Sequence, residues 1–163
     1  MSELEFLNVD AAARDATPTS PLARALSHAD PRFGLSDISL ETPKLDVRGD
    51  LDAAELDGDV VRFTPTRALV FGGTTHRAAL RTRGLFVVDL TGALAGLKLK
   101  DELLMRRLTD LDLDALPAAG SFAHVPATVL RDDREIFRAF FPQEYGHYVA
   151  EVVIDTAEAL EWH

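Results

Sequence analysis

Between residues 33 and 71 the apolar positions come in short alternating groups separated by turn formers, a spacing that predicts strands rather than helices. Phe33, Leu35, Ile38 and Leu40 predict one strand. Leu45 and Val47, alternating with Asp46 and Arg48, predict a second that ends at Gly49-Asp50. Val60, Val61 and Phe63 predict a third, and Ala68, Leu69, Val70 and Phe71 a fourth, on either side of Pro65. Ahead of them, residues 1–19 show no sustained period and read as a flexible N-terminal tail. Ser20-Pro21 then reads as an N-cap followed by proline in the first helical position. Leu22, Ala23 and Leu26 would give a brief helix its apolar stripe, stopped by Pro31.

Past Gly72-Gly73, Thr74 or Thr75 can cap a helix running through Arg83, with Gly84 as its C-terminal stop. Residues 86–90 predict a strand, and Leu94, Leu97 and Leu99 another. Asp101 is placed to cap a helix with Leu103, Leu104 and Leu108 inward and Arg106 and Arg107 near its negative end. Residues 117–120 read as a turn, and 121–130 with 135–141 as a hairpin about 131–134. Pro142 opens a last helix whose buried face is predicted from Tyr145, Tyr148, Val149, Val152, Thr156 and Leu160. The fold class is therefore α+β: antiparallel or mixed sheets packed with helices, an order that admits a duplicated β-α-β unit. Connections this short cannot make the crossovers of a parallel sheet. Residues 20–163 are expected to form a single domain.

Charge narrows the function classes. With 17 basic and 27 acidic residues the net charge is −10, a field that repels nucleic-acid backbones and anionic lipid. Neither nucleic acid nor membrane is expected as a partner; an acidic surface suits solubility, a basic partner protein or a salty cytoplasm. The apolar runs are too short to span a bilayer, and no cysteine supplies a disulfide, thiolate ligand or nucleophile. A cytoplasmic location is expected.

A search for chemistry returns weak signals only. Asp110, Asp112 and Asp114 alternate like the start of a calcium loop, yet Ala115 and Ser121 stand where such a loop needs glycine and glutamate. These residues read instead as an extended segment with its leucines inward. Gly72-Gly73 could offer backbone N–H groups to an anion, but no phosphate-loop lysine follows. Gly92 and Gly96 read as packing glycines. His28, His76, His124, His147 and His163 share no ligand spacing. Ser121 lacks a nucleophile elbow, and Asp132-Asp133 sits at a solvated hairpin tip. No catalytic residue and no metal ligand is assigned, and cofactor-binding residues are left undefined.

One resemblance rests on the order of several short motifs. Residues 84–91, Gly-Leu-Phe-Val-Val-Asp-Leu-Thr, are followed by Leu97-Lys98-Leu99-Lys100 and then Leu103-Leu104. Asp112-Leu113-Asp114 leads to Gly120, and residues 136–141 precede a tyrosine-bearing helix. Together with Ser20-Pro21-Leu22-Ala23, this series resembles the gamma subunits of heterotetrameric sarcosine oxidase, a family related to the folate-binding part of the glycine-cleavage aminomethyltransferase, the T-protein. The resemblance covers about half of the chain well and residues 33–71 poorly; the loop before Asp101 is shorter than the family's and lacks its usual glycine.

The resemblance implies a non-catalytic, structural subunit of a heteromeric flavin-dependent amine oxidase. It implies larger flavoprotein partners carrying flavins, NAD and tetrahydrofolate, with no cofactor on this chain. T-protein relatives carry a catalytic aspartate just after the hairpin turn, where this chain reads Glu135-Ile136-Phe137-Arg138. A cation cannot take over the carboxylate's part in orienting folate and accepting a proton. Tyr145, His147 and Tyr148 are the expected docking face, since aromatic residues favour interface anchoring, the alternative being that both tyrosines face the domain's own sheet. Two alternatives stay open: a folate-binding aminomethyltransferase-like protein acting alone, and a stand-alone structural protein that binds neither folate nor flavoprotein.

Overall fold

The fold comes from a computed structural model, and the residues described are 19–52, 54–73 and 77–161. The predicted tail up to residue 18, the caps Thr74 and Thr75, His76 and His163 lie outside them.

Among the described residues nine strands form two sheets in which every pairing is antiparallel. The first holds five strands in the order β1 (Ser36–Asp37), β6 (Leu94–Lys100), β9 (Ile136–Pro142), β8 (Val125–Asp133) and β7 (Ala118–Phe122). The second holds four, in the order β3 (Asp59–Thr64), β4 (Arg67–Phe71), β2 (Lys44–Arg48) and β5 (Phe86–Asp89). With helices on both outer faces, the α+β class expected from the sequence is the class observed.

Side-chain alternation distributes these strands over three cores. Leu97 and Leu99, Phe137 and Phe141, and Val129 point from the five-stranded sheet toward α1 (Ala23–Leu26), α3 (Glu102–Leu108) and α4 (Gly146–Glu161). Leu45 and Val47 of β2, with Ala68, Val70 and Val87, point the other way, onto Leu80 of α2 (Arg77–Thr82). Ile38, Val61, Leu69, Phe71, Leu130 and Phe140 fill the space between the sheets. There the Phe71 and Phe140 rings stack with centroids 4.3 Å apart. An aromatic pair of this kind adds roughly 0.5–1.5 kcal/mol beyond the area it buries. Gly96 permits the approach: a Cβ there would lie 2.9 Å from the Phe140 ring and 3.0 Å from Ile38.

Several expectations are corrected. The strand predicted over Phe33, Leu35, Ile38 and Leu40 shrinks to Ser36–Asp37. Pro31 does not merely end α1; it begins a 3-10 turn at Pro31–Phe33, with the Asp30 carboxylate accepting from the Arg32 N–H and Gly34 at φ 63° closing it. Leu40 is left exposed. In α1 Ala25, not Ala23, is buried. In α3 the buried face is Leu104, Met105 and Leu108, while Leu103 points to water, because residues three and four apart share a side of a helix and Leu103 is five from Leu108. The Asp101 cap is as predicted, its carboxylate accepting from the N–H groups of Leu103 and Leu104.

The turn predicted at residues 117–120 is a strand, β7, and the reversal lies one hairpin later, at Ala123 and His124, both with positive φ. Gly120 serves packing: a Cβ there would stand 2.5 Å from Leu111 Cδ2. The following hairpin, β8–β9, turns about 134–135. Pro142 belongs to β9 and precedes a 3-10 turn at Gln143–Tyr145, so α4 starts only at Gly146. Its buried face is Gly146, Val149, Ala150, Val153 and Ala157, rotated from the predicted one and leaving Tyr145 and Tyr148 largely exposed. Small residues explain the rotation, since they let the helix lie close: a Cβ on Gly146 would meet Pro21 at 2.6 Å. The Asp110–Asp114 segment is not extended but carries a 3-10 turn at Leu113–Ala115, begun by the Asp112 carboxylate accepting from the Asp114 N–H.

Candidate functional site

The two sheets lie against each other at one end and part at the other. Register makes this visible on the inner face of the four-stranded sheet, where residues directly paired across strands share a side. Lys44 pairs with Phe71, Asp46 with Leu69 and Val88, and Arg48 with Arg67 and Phe86. The Lys44–Phe71 row is buried under Phe140, whereas the Arg48–Arg67–Phe86 row lies open.

At the closed end Lys44 is fully buried. Its Nζ donates to the carbonyl oxygens of Ser39 and Thr91 and lies 5.8 Å from the centre of the Phe140 ring. Burial pulls the ammonium down to about 8, against the smaller opposing pull of Asp89 and Asp37. A neutral amine keeps two N–H donors, enough for both carbonyls, so losing the proton need not break the pairing.

At the open end Asp46, 5% exposed, accepts from two arginines. Arg48 donates through Nε and Nη2, at 3.2 and 2.8 Å, and Arg67 through the same atoms, both at 3.2 Å. Burial raises the Asp46 pKa, and the hydrogen bonds and charges of the two guanidiniums overcome it, leaving the carboxyl below its usual range. Arg67 also lies over the Phe63 ring, 5.7 Å from its centre. Phe63 leads into a groove of about 460 Å³ that it lines with Leu69, Leu94, Pro126, Thr128 and Phe140.

Arg138 ties the sheets together. From β9 its guanidinium reaches Asp59 of β3 at 2.7 Å and Asp132 of β8. Burial would weaken this cation, but the two carboxylates more than compensate and raise its pKa.

The expected docking residues lie in the 3-10 turn Gln143–Tyr145 and the first turn of α4. Tyr145 and Tyr148 are 41% and 43% exposed, which excludes a role in the domain's own core. His147 Nε2 lies 3.1 Å from Glu151 Oε1 one turn on, and both are open to solvent. Beside them, Arg24 and His28 of the α1 segment, with Ile154 and Asp155, enclose a shallow depression of about 310 Å³.

The remaining sequence signals have structural accounts, except that Gly92, expected to serve packing, faces open space. The Gly72 N–H is spent on the Pro43 carbonyl. Gly73, at φ 79°, lies so near Asp57 that a Cβ would fall 2.4 Å from its carbonyl oxygen. Ser121 contributes its carbonyl oxygen to the Thr109 hydroxyl. Asp110, Asp112 and Asp114 are exposed, as are His28 and His124. Among the described residues no three histidines or carboxylates are grouped to hold a metal ion, and no helix is long and apolar enough to cross a membrane.

No family model matches this chain, and neither does any curated protein. A solved structure does match: a chain of "Heterotetrameric Sarcosine Oxidase from Corynebacterium sp. U-96 in complex with pyrrole 2-carboxylate", at TM-score 0.70. The two chains share a fold. The match takes in 87% of this chain and 95% of that one, so the two are of similar length, while only 16% of residues are identical. Likeness at that identity concerns the backbone; the sarcosine oxidase chain carries no residue roles across.

Sequence reasoning missed the inter-sheet residues. Lys44, Asp46 and Arg48 alternate with buried Leu45 and Val47, which is the signature of a solvated strand face. That face meets a second sheet instead, and the one available hint was that Arg67, Leu69 and Phe71 repeat the same mixed alternation on the next strand.

Proposed function

We propose that this chain is a non-catalytic, gamma-type subunit of a heteromeric flavin-dependent amine oxidase of the sarcosine oxidase type. The observation that carries the reading is the fold likeness to a chain of a heterotetrameric enzyme, running over nearly the whole of both chains. The match takes in 95% of that chain rather than one part of a longer one. The motif order from Gly84 through the β8–β9 hairpin, which resembles gamma subunits and more distantly the T-protein, supports the same reading.

In this proposal the flavins, the nicotinamide cofactor and tetrahydrofolate belong to the larger partner chains. Arg138 favours that division: near where T-protein relatives hold an aspartate, it is occupied with Asp59 and Asp132. Tyr145 and Tyr148 contribute a docking face, with large, stiff side chains already turned to solvent.

The test is co-purification from the native host with a tag on this chain. A flavoprotein recovered in fixed stoichiometry, and lost when Tyr145→Ala and Tyr148→Ala are combined on a chain that still folds, is the expected result. Recovery of this chain alone, without flavin absorbance, would refute the reading. Saturable heat on titrating a reduced folate into the isolated chain would favour a folate-binding protein acting alone.

A further inference from the structure

From the open row on the four-stranded sheet we infer a second docking surface, shaped for an apolar partner segment that carries a carboxylate. The inference rests on the subunit reading above and assigns to it a place and a chemistry. Phe86, Arg48 and Arg67 are paired in register on β5, β2 and β4, so their side chains stand in one row on one side of the sheet. Phe63 adjoins the row through its contact with Arg67. The five-stranded sheet covers this face only as far as Leu69 and Phe71. Beyond that limit Phe86 is 60% exposed, Phe63 43%, and the two arginine side chains 50% and 46%. Neighbouring aromatic and arginine residues left in water are the composition that interfaces concentrate in their buried centres.

Charge selects the occupant. The chain as a whole carries −10, yet this row holds two guanidiniums against one buried carboxylate, a local excess of +1. Asp46 engages Nε and Nη2 of each arginine, which fixes both planes and leaves both Nη1 groups unused by Asp46. Preset guanidiniums lose little freedom when they take an incoming carboxylate. The flanking rings and the groove beyond Phe63, lined by Leu69, Leu94, Pro126 and Phe140, supply apolar surface continuous with the charged spot. The charged spot and the apolar groove take residues from β2, β3, β4, β5, β6, β8 and β9, so one ligand meeting both needs a carboxylate and apolar groups side by side, as a peptide segment has.

A photo-crosslinking experiment on the native assembly tests it. With p-benzoylphenylalanine in place of Phe86, irradiation of the co-purified assembly should join this chain to the flavoprotein, at a peptide with Asp or Glu among apolar residues. Arg48→Glu should cut flavoprotein recovery at least ten-fold and Arg48→Lys by less. Arg83→Glu, at the end of α2 on the far side of the sheet, should leave it unchanged. If the flavoprotein co-purifies but position 86 links to nothing, to a second copy of this chain, or to a peptide without acid, the inference is overturned and the subunit reading stands. If no flavoprotein co-purifies, both fall. Saturable binding of succinate to the isolated chain, abolished by Arg48→Glu, would reassign the row to a small carboxylate and also overturn it.

Discussion

Arg138 of β9 and Asp59 of β3 form an ion pair across the two sheets, 2.7 Å from Nη2 to Oδ2. Asp132 holds the same guanidinium from within the five-stranded sheet. Arg138 is the more enclosed partner, its side chain 15% exposed against 52% for Asp59. The asymmetry sets the expected costs. Arg138→Leu removes charge-assisted hydrogen bonds to two carboxylates and should lower stability by about 1–3 kcal/mol in urea unfolding. Asp59→Ala removes one half-exposed partner and should cost less than about 1 kcal/mol. Equal effects of the two substitutions would show that the enclosed position of Arg138 carries no weight.

Lys44 should leave a mark at alkaline pH. In the folded chain it titrates near 8, below its ordinary 10.5. Between those values the unfolded chain holds the proton and the folded chain does not, so stability rises with pH across that interval. The slope cannot exceed about 1.4 kcal/mol per pH unit for one group. Below about 8 both states are protonated and the penalty of the buried cation is at its full size. Thermal unfolding of Lys44→Met, compared with the parent between pH 7 and 10.5, should show this rise missing from the variant. A parallel pair of curves would count against the assignment.

Asp46 also makes stability rise with pH, but in acid, and it stabilises the fold in its charged form where Lys44 is penalised in its own. The folded pKa of Asp46 lies below the usual carboxylate range, so its contribution is present above the unfolded value of about 3.8 and is lost as pH falls through the folded one. Asp46→Asn should therefore be destabilised at neutral pH and converge on the parent in acid. A stability difference that persists unchanged at pH 2 would point to shape rather than charge.

The stacked pair between the sheets should dominate inter-sheet packing. Phe140→Ala removes a fully buried ring stacked on Phe71 and is expected to cost roughly 3–5 kcal/mol. Phe140→Leu should recover a good part of that. Chemical denaturation separates the two cases, and equal losses would mean that the ring's shape matters more than its volume.

Gly73→Ala is expected to be more damaging than its position in a loop suggests. At φ 79° an alanine is strained, and its Cβ would fall 2.4 Å from the Asp57 carbonyl oxygen, a backbone atom with little room to move. A loss above about 1–2 kcal/mol exceeds what left-handed geometry alone would cost. Gly92→Ala meets open space and provides the control in the same unfolding assay.

Local chemistry settled a good deal of this molecule in advance. Alternation placed β2, β3, β4, β5 and β6, Asp101 named the start of α3, and short connections required antiparallel pairing. Such features depend on neighbours in the chain, which a sequence displays directly. What depends on distant partners was not readable. Gly120 resembles a turn residue, and Gly146 a weak position inside the helix opened by Pro142, until Leu111 and Pro21 are seen against them. Tyr145 and Tyr148 fit a helical stripe, but the small residues on the adjoining face let α4 approach more closely, and the helix turned that side inward. The charged residues of β2 read as a wet surface because their alternation is that of a solvated strand. Only the arrival of a second sheet, at one end of that face and not the other, buried Lys44 and left Arg48 in water. Chain-local patterns were enough for most strands and helices and for the net acidity. Tertiary packing decided which polar side chains lost their solvent, because burial is a property of what comes to lie opposite.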